Sequence, residues 1–533
     1  MASNDLEVYL TARTALITEE RSIRRDFKEL AKATEDELHA DQIVRAIKLE
    51  EAKSIWAVDH PDTPNVFPGM AYLSARNLIT KTKIFQIISK MPKGALLHSH
   101  LDAMVNASVM LKYALEEPAL HIQVAAPLTK ASLFSTLPAF RGLRPSEYSD
   151  APSLTSSSYI PGTWVHIKRA RDSFSTDLGG PEGFDAWVIG ALTINPREAY
   201  ETHNTVAKIW KKFQSTFDVV EGFTNFFPLK KKYIKDFLLS SIEDGISFVE
   251  TRFTFFSEYL IDANGEDSVS HAEIFRTFGE IVQEVKDEMA RQRRSDAFIG
   301  ARIIYTTLRF VTCDELDWYL EDCIKLKQEF PDLVAGFDLV GSENDLKPII
   351  YYIEPLLRFR SRVEELGLDL PFIFHAGETY GDGSEADNNL YDAILLGTKR
   401  IGHGFSLVKH PKLIEMCKEK GIALEVCPIS NEILRLTSSV CTHPLASLIN
   451  QGVPVALCSD DPSVFGNMGL SFDFFQVLMG SDINGLLTLR MLARQSLEHS
   501  TLADEEKAKA IVSWEKQWAN FVKSITDGRI FEV

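Results

Sequence analysis

Three apolar runs of this chain end in histidine, cysteine or aspartate, which are side chains that bind metal ions. The runs are Leu96-Leu97-His98-Ser99-His100, Phe372-Ile373-Phe374-His375 and Val455-Ala456-Leu457-Cys458-Ser459-Asp460-Asp461. Successive side chains of a strand alternate between its two faces, so His98 and His100 point the same way and can bind one ion together. Histidine and carboxylate side chains at strand ends predict a zinc enzyme.

Distant segments are expected to supply one shared site. His98 and His100 end one predicted strand, whereas His375, His403 and Asp460 each end another, and only four of the thirteen histidines lie at such positions. Imidazole nitrogens and a carboxylate oxygen suit zinc, and a coordination position left open for water is typical of a catalytic ion. A single histidine is more often a core or surface residue, but their joint placement favours a metal site.

Two further carboxylates lie close to these residues in sequence. Glu378 follows His375 by three residues, and Gly377 lets the backbone come close to a ligand, so Glu378 is placed to move a proton. The alternative is that Glu378 caps a helix. Adjacent carboxylates diverge, so of Asp460 and Asp461 one can bind metal while the other contacts a substrate. The alternative for Asp461, which precedes a proline, is the start of a turn.

Eight predicted strands carry these side chains. Each is followed by a stretch long enough for a helix, which favours a (β/α)8 TIM barrel of the α/β class over an open doubly wound sheet. Functional residues of such barrels collect at the C-terminal ends of the strands, where the histidines lie here. The predicted strands are 94–100, 246–253, 298–305, 334–340, 371–375, 400–403, 422–427 and 453–460.

Two segments lie outside the barrel pattern. Residues 1–90 are predicted to form an N-terminal helical arm, since Ile23, Phe27 and Leu30 repeat at helical spacing. The arm either caps the barrel or joins two chains into a homodimer. Residues 91–533 are predicted as the barrel domain, and residues 113–200, rich in proline and serine, as an inserted subdomain or mobile lid within it.

Composition limits the function classes. Of 533 residues 25% are charged and 45% hydrophobic, which is ordinary for a globular protein. No apolar run approaches the roughly 20 residues that cross a bilayer, so we expect no membrane partner. The first residues contain no basic segment followed by an apolar core, which predicts a cytoplasmic location.

Charge and cysteine content narrow the partners further. The formal net charge of −18 repels polyanions, so we expect no nucleic-acid partner. The basic run Lys230-Lys231-Lys232 is interpreted as the solvated face of a helix. The six cysteines lack Cys-x-x-Cys spacing and are interpreted as reduced core thiols.

Six ordered motifs between residues 91 and 470 resemble those of the adenosine deaminase family. The helical arm and the insertion are most similar to the adenosine deaminase-related growth factor branch. The motifs are His98-Ser99-His100-Leu101-Asp102 after Met91-Pro92-Lys93, Gly336-Phe337-Asp338-Leu339-Val340-Gly341-Ser342-Glu343, His375-Ala376-Gly377-Glu378, Gly402-His403-Gly404, Cys427-Pro428-Ile429-Ser430-Asn431 and Ser459-Asp460-Asp461-Pro462.

The resemblance implies zinc-dependent hydrolytic deamination of adenosine, and of 2′-deoxyadenosine, to inosine and ammonia. It implies one Zn²⁺ per chain, with His98, His100, His375 and Asp460 as its ligands. It further implies that His403 orients the attacking hydroxide or takes its proton. Glu378 would protonate ring N1 during attack on C6.

The resemblance also implies a set of substrate contacts. Asp461 would lie opposite N7, the backbone N–H of Gly341 would meet N3, and Asp102 would reach the ribose. Trp210 and Glu182 are comparable to a tryptophan and a glutamate that approach the ribose in the growth factor branch. A buried aromatic residue and a surface acid are the alternatives for these last two.

Two departures from the growth factor branch accompany the resemblance. The order Leu101-Asp102 is more similar to the short intracellular enzymes. Secreted members carry a leader and a disulfide in the insertion, whereas the first cysteine here is Cys313.

Three alternative functions make different demands on the sequence. A deaminase of AMP or an N6-substituted adenine nucleotide would need basic residues, which Lys168, Arg169 and Arg171 could supply. A growth-factor-like binding protein would keep the barrel without turnover. A two-metal amidohydrolase would need a bridging lysine at the end of the fourth strand, and residues 338–341 contain none.

Overall fold

Short buried strands form the centre of the molecule. The structure is a computed structural model and describes residues 2–532. Its strands are β1 (Gly94–Leu96), β2 (Leu120–Gln123), β3 (Ala139–Gly142), β4 (Val165–His166), β5 (Ile246–Thr254), β6 (Tyr259–Ile261), β7 (Asp267–Ser270), β8 (Gly300–Leu308), β9 (Val334–Val340), β10 (Ile373–Ala376), β11 (Arg400–His403), β12 (Ala423–Val426) and β13 (Val455–Leu457).

Eight of these strands form the predicted (β/α)8 barrel. One sheet has the order β1-β5-β8-β9 and a second the order β10-β11-β12-β13, and all pairs within them are parallel. Backbone pairing joins the sheets at both edges, between Phe337 and Phe372 and between Ser99 and Asp460. The ring is therefore closed, as a barrel requires.

The end of the first strand differs from the prediction. β1 ends at Leu96 rather than at residue 100, because the following residues make single backbone pairings instead of a continuous ladder. The N–H of Asp460 donates to the carbonyl of His98, and the N–H of His100 donates to the carbonyl of Asp460, both at 3.3 Å. We call these two hydrogen bonds the seam of the barrel. The two histidines of the first motif therefore lie at the seam.

Helices surround the barrel and fill both flanking segments. None of the helices within residues 2–532 is long and apolar enough to cross a membrane. The helices are α1 (Ala2–Ser22), α2 (Phe27–Leu30), α3 (Glu35–Ser54), α4 (Tyr72–Ile79), α5 (Lys83–Ser89), α6 (Ala107–Leu115), α7 (Ile167–Asp172), α8 (Gly180–Leu192), α9 (Val206–Thr224), α10 (Phe227–Glu243), α11 (His271–Arg291), α12 (Cys313–Glu329), α13 (Ile353–Glu365), α14 (Glu385–Leu395), α15 (Pro411–Lys420), α16 (Pro428–Ile433), α17 (Leu445–Asn450), α18 (Pro462–Phe465), α19 (Ser471–Met479), α20 (Leu486–Glu498) and α21 (Asp504–Thr526).

The segment between β1 and β5 contains a small sheet of its own. β3, β2 and β4 pair antiparallel in that order. Helices α8 and α9 follow the sheet, and α9 packs on β3. The buried face of α9 carries Trp210 and Phe213. This helix therefore brings aromatic side chains from the segment between β1 and β5 toward the barrel.

The N-terminal helices are attached to the barrel helices by buried polar contacts. The indole N–H of Trp518 donates to Glu37 at 2.8 Å, and the backbone N–H of Leu486 donates to Asp41 at 2.6 Å. Buried polar groups are stable only when they are hydrogen-bonded, so these contacts define how the arm is seated.

The apolar residues that predicted the arm are not its buried anchor. Ile23, Phe27 and Leu30 are exposed, and so are several apolar side chains of α1. An exposed apolar helix face is compatible with a contact between two chains. The homodimer through the arm and the cytoplasmic location stay predictions.

Two sequence interpretations were wrong for individual residues. Lys230 is buried and only 1% exposed, whereas Lys231 and Lys232 are solvated as predicted. All six cysteines are free thiols, but Cys441 is exposed rather than part of the core. Both errors concern residues whose environment depends on a distant segment of the chain.

Candidate active site

Three histidines from two strand ends lie side by side. The ring centroids of His98 and His375 are 4.5 Å apart, and those of His98 and His100 are 5.5 Å apart. One nitrogen of each of these three residues lies within 4.8 Å of the others. The structure therefore brings together the histidines of the first and third sequence motifs.

Asp460 turns its carboxylate toward the same point. Its Oδ1 lies 3.2 Å from Nε2 of His98 and 3.3 Å from Nε2 of His100. His98 Nε2 and Asp460 Oδ1 are buried, yet neither has a hydrogen-bond partner among the described residues. Buried polar atoms without partners are costly, so a group that binds them all is expected at this point. Imidazole nitrogens and a carboxylate oxygen fit a metal ion.

The backbone of Asp460 is itself strained. Its φ of 63° lies in the left-handed region, which residues other than glycine seldom adopt. His403 has a φ of 58° and is strained in the same way. Such strain collects at functional sites, where the surrounding structure holds it in place.

Buried carboxylates orient the histidine rings. Nδ1 of His98 lies 2.7 Å from Glu425 Oε2, and Nδ1 of His375 lies 2.6 Å from Asp338 Oδ2. Arg252 links the two carboxylates, with Nε 2.7 Å from Asp338 and Nη2 2.8 Å from Glu425. Because each carboxylate accepts from Nδ1, the Nε2 atoms keep their lone pairs for a metal ion.

Sequence reasoning did not assign these orienting residues. Asp338 stood in a motif without a role, and Glu425 and Arg252 were not singled out. The available signal was a charged residue inside an otherwise apolar strand, as in Leu424-Glu425-Val426. A buried charge needs a partner, and only the folded chain shows which one.

Gly402 leaves room for the His98 ring. A Cβ atom at position 402 would lie 2.9 Å from Cε1 and 3.2 Å from Nδ1 of His98. Real Cβ atoms do not come that close to a rigid ring, so any larger residue would push His98 out of place. The glycine of the Gly402-His403-Gly404 motif is therefore a packing requirement of the site.

His403 stands beside the histidine group without an acid in hydrogen-bond contact. Its Nε2 lies 3.6 Å from Glu378 Oε1 and 3.8 Å from Asp460 Oδ2. Its Nδ1 lies 3.2 Å from the side-chain nitrogen of Asn431. Burial lowers the pKa of His403 to about 3, so the ring is neutral at physiological pH.

Glu378 is a buried carboxyl group at the wall of a cavity. Burial, followed by the nearby Asp460 and Glu343 carboxylates, raises the pKa of Glu378 well above its usual value. Glu343 accepts from the backbone N–H of Glu378 at 2.8 Å. The next helix begins only at Glu385, so Glu378 does not cap it. The raised pKa favours the protonated form of Glu378, which could donate to a ligand in the cavity.

Asp461 has a similar environment. It occupies the N-cap position of α18, but its side chain makes no capping hydrogen bond, and its Oδ1 is buried without a partner. Burial, followed by Asp460, raises the pKa of Asp461 well above its usual value. The side chain is thus directed at the cavity rather than at the helix.

A cavity of about 310 Å³ opens above these groups. Trp210 lines it, and the indole Nε1 is buried without a hydrogen-bond partner among residues 2–532. The lining residues are His100, Asp102, Trp210, Phe213, Gln214, Phe217, Asp218, Glu221, Thr254, Phe256, Leu308, Phe310, Val340, Gly341, His375, Glu378, His403, Asp460 and Asp461.

Gly341 lines the cavity with an unusual backbone. Its φ is +105°, and a Cβ atom there would lie 2.6 Å from Leu346 Cδ1. The left-handed φ favours glycine at this position, and any side chain there would also have to displace the end of Leu346.

Asp102 lines the cavity with a buried lysine behind it. Lys230 Nζ lies 2.6 Å from Asp102 Oδ1, and both residues are buried. The same Nζ lies 4.3 Å from the centre of the Phe253 ring. Sequence reasoning missed this partner because Lys230 belongs to a run of lysines.

Other predicted residues lie outside the cavity. Glu182 is exposed in the first turn of α8 and does not line it. Lys168, Arg169 and Arg171 also lie elsewhere, and each is paired with a nearby aspartate. Within the described part of the chain, no lysine or arginine lines the cavity.

Solved structures with the same fold include several deaminases. Arabidopsis ADAL complexed with IMP has a TM-score of 0.53 at 16% identity, over 81% of this chain and 99% of that one. A Burkholderia ambifaria amidohydrolase with bound zinc has a TM-score of 0.51 at 15% identity, over 83% of this chain and 95% of that one. At these identities the likeness concerns the fold.

Sequence comparison places the chain in a family. A sequence model described as Adenosine deaminase matches residues 193–515. Adenosine deaminase 2-A from Danio rerio is 35% identical over 85% of this chain and 84% of that protein. Adenosine deaminase from Phlebotomus duboscqi is 33% identical over 92% of this chain and 87% of that protein. The structure thus carries the sequence motifs on the expected barrel, and the chain belongs to the adenosine deaminase family.

Proposed function

We propose that this chain deaminates adenosine and 2′-deoxyadenosine hydrolytically to inosine and ammonia, using one zinc ion. The observation that carries the proposal is the cluster of buried, unpartnered metal-binding atoms next to the buried Glu378 carboxyl group, whose pKa is raised, at the wall of a cavity. The family relatives named adenosine deaminase support the same activity.

His98, His100, His375 and Asp460 would hold the metal. Three imidazole nitrogens and one carboxylate oxygen are a donor set that suits zinc, and burial lowers the pKa of His100 and His375, which favours neutral ligating rings. A zinc ion lowers the pKa of water and so supplies a nucleophile at neutral pH.

The remaining residues match the ring nitrogens of adenine. N1, N3 and N7 all accept hydrogen bonds, and the cavity offers three groups that can donate: the Glu378 carboxyl, the Gly341 N–H and the Asp461 carboxyl. Burial raises the pKa of both carboxyl groups, which favours their protonated, donating forms. Glu378 would transfer its proton to N1 while C6 is attacked, which relieves the charge that develops on the ring.

The sugar would lie toward α9. Asp102 can accept a hydrogen bond from a ribose hydroxyl, and the free N–H of Trp210 can donate one. Glu182 is too exposed to share this role in the structure described. The volume of about 310 Å³ is at the lower end for small-molecule sites, and it suits a nucleoside.

The charge of the cavity favours a nucleoside over a nucleotide. Asp102, Asp218 and Glu221 line the sugar side, and no lysine or arginine of the described chain lines the cavity. A phosphate carries about two negative charges at neutral pH and would meet these carboxylates without a counter-charge. Deamination of AMP or an N6-substituted AMP is therefore the second candidate.

A growth-factor-like protein without turnover has less support. Such a protein has no physical need for a buried acid with a raised pKa or for unpartnered metal-binding atoms. Both features cost stability, so their presence together favours catalysis.

Turnover and metal content test the proposal. Purified protein should contain about one zinc per chain, and adenosine should lose absorbance in the near ultraviolet as the amino group is replaced. AMP and N6-methyl-AMP, assayed side by side, should react at least about 100-fold more slowly, as expected for an uncompensated charge. Faster turnover of AMP would overturn the substrate assignment, and a zinc-loaded protein inactive on all three would overturn the activity.

A further inference from the structure

A chain of hydrogen bonds runs behind His403, on the side away from the cavity. The backbone N–H of Leu445, in the first turn of α17, donates to Nδ1 of His443 at 3.0 Å. His443 Nε2 lies 3.0 Å from Asn431 Oδ1. The other atom of the Asn431 amide, Nδ2, lies 3.2 Å from His403 Nδ1. All three side chains are buried, with exposures of 4% for His443, 0% for Asn431 and 1% for His403.

The backbone N–H of Leu445 determines the direction of every other hydrogen bond in this series. A backbone N–H can only donate, so His443 Nδ1 must accept and carries no proton. The His443 ring is neutral, since burial lowers its pKa to about 3. Its single proton is therefore on Nε2.

The same logic continues to the active site. His443 Nε2–H donates to the carbonyl oxygen of the Asn431 amide, which turns the NH₂ group toward His403. His403 Nδ1 must then accept. Because an accepting Nδ1 carries no proton, the ring bears its proton on Nε2, which is the atom that faces Glu378 and Asp460.

We infer that Asn431 and His443 are positioning residues that hold His403 with its proton on Nε2, so that His403 is a fixed hydrogen-bond donor to the attacking solvent oxygen. The inference rests on the proposed function, because it assigns a role within that reaction. It also separates two roles for His403. A ring whose Nδ1 is occupied and whose Nε2 is protonated has no site for another proton, so His403 orients the nucleophile and does not take its proton.

The tautomer can be measured without turnover. Long-range nitrogen–proton correlation spectra of the full chain, with nitrogen-labelled histidine, distinguish a protonated ring nitrogen from an accepting one. A His403→Gln sample identifies the signals of His403 by their absence. We expect an accepting Nδ1 and a protonated Nε2 in the parent protein. A protonated Nδ1 would overturn the inference. The parent protein alone gives this result, so it does not depend on whether a variant of Asn431 or His443 folds.

Reversing the acceptor should reverse the tautomer. In Asn431→Asp, the carboxylate can only accept, so His403 should acquire a proton on Nδ1. We expect kcat for adenosine to fall about 100-fold, the usual effect of losing one oriented donor, with KM within about threefold. An unchanged tautomer and an unchanged kcat in this variant would contradict the positioning role of Asn431.

A matched pair at position 443 tests the outer member. His443→Gln keeps an N–H donor for Asn431, whereas His443→Leu removes it at similar volume. We expect the glutamine variant to keep the parent tautomer and most of kcat, and the leucine variant to lose both. Equal loss in the two variants would indicate a packing role and overturn the inference.

The spectra and the assay fail independently. An inactive parent protein with a protonated Nε2 on His403 would overturn the proposed function but not the positioning of His403 by Asn431 and His443. An active parent protein with a protonated Nδ1 on His403 would overturn only the positioning roles of Asn431 and His443.

Discussion

Individual side chains of this site owe their properties to burial next to other charges. Glu378 and Asp461 lie beside Asp460, and the proximity of these carboxylates, added to burial, favours the protonated form of the first two. Lys230 has a different role, because its Nζ lies 2.6 Å from Asp102 Oδ1 and pairs with that carboxylate in the same crowded region. The site therefore contains both acids that donate and an acid that accepts.

Replacement of Glu378 by glutamine tests the donor role. The amide keeps the shape of the side chain but has no acidic proton, so kcat should fall at least about 100-fold while zinc content stays unchanged. Glu364, which is exposed on α13, provides the control variant Glu364→Gln, whose kcat should equal that of the parent. A Glu378→Gln enzyme within about tenfold of the parent would rule out general acid catalysis by this residue.

Replacement of Lys230 by methionine tests the buried ion pair. It leaves Asp102 buried without its partner, so we expect a loss of roughly 3 kcal/mol in unfolding free energy and a KM for adenosine raised about tenfold. Lys231→Met, on the exposed side of the same helix, is the control and should change neither quantity. The double variant Lys230→Met with Asp102→Asn should recover stability but not KM. Recovery of both would show that Asp102 does not contact the substrate.

Secondary-structure elements explain which parts of the site were predictable. Strand ends are visible in a sequence because an apolar run stops at a polar residue, and His375, His403 and Asp460 were located in this way. Pairing between elements is not visible. Nothing local to β12 indicates that Glu425 meets His98 and Arg252, since those residues are far apart in the chain.

The same limit applies to one residue of α10 and one residue of α8. A run of lysines has the pattern of a solvated helix face, and only the folded chain shows Asp102 beside Lys230. Glu182 was proposed from the resemblance to the growth factor branch, but it is exposed to solvent on α8. The barrel itself was predictable because its buried strands are largely apolar, even where single charged residues such as Glu425 interrupt them.

Glu432 links three elements and predicts a pH effect on stability. Its carboxyl accepts from the backbone N–H of Tyr72 at 3.0 Å and from the hydroxyl of Tyr200 at 3.1 Å, joining α16 to α4 and to the π-helix Glu198–Thr202. Burial raises the pKa of Glu432 from 4.5 to about 7. The folded state therefore binds this proton more tightly than the unfolded state.

Stability from Glu432 is fully present below pH 4.5 and is lost as the pH rises through about 7. Glu432→Gln is neutral at every pH, so at pH 8 it should be more stable than the parent by at most about 3 kcal/mol. Urea unfolding at pH 5 and pH 8 measures this, with Glu419→Gln on the exposed side of α15 as control. Equal stability of parent and variant at both pH values would contradict the shifted pKa.

At the scale of the whole molecule, the metal site joins the two halves of the barrel. His98 and His100 follow β1 of one sheet, whereas His375 lies in β10 and Asp460 follows β13 of the other sheet. An ion bound by all four residues would hold these sheets together. Binding to the folded state alone also stabilises it by mass action.

Removal of zinc should therefore lower the melting temperature. Ligand present at about 100 times its dissociation constant contributes roughly 2.7 kcal/mol, so a chelator should lower Tm by several degrees, and zinc should restore it. Magnesium at the same concentration serves as the control, because nitrogen-rich sites bind it weakly. An unchanged Tm after verified loss of the metal would show that the ion does not link the sheets.

The seam of the barrel has a consequence for local motion. Its two backbone hydrogen bonds are made by residues whose side chains would bind the ion. Metal binding is therefore expected to stabilise the pairing at the seam, and loss of the metal to weaken it. Amide deuterium uptake at His100 and Asp460 should then be slow in the loaded protein and fast after chelation, while β5 and β8 stay protected. Without the ion, the barrel would open at the seam alone, between the ends of β1 and β13, while its other strand pairs stay intact.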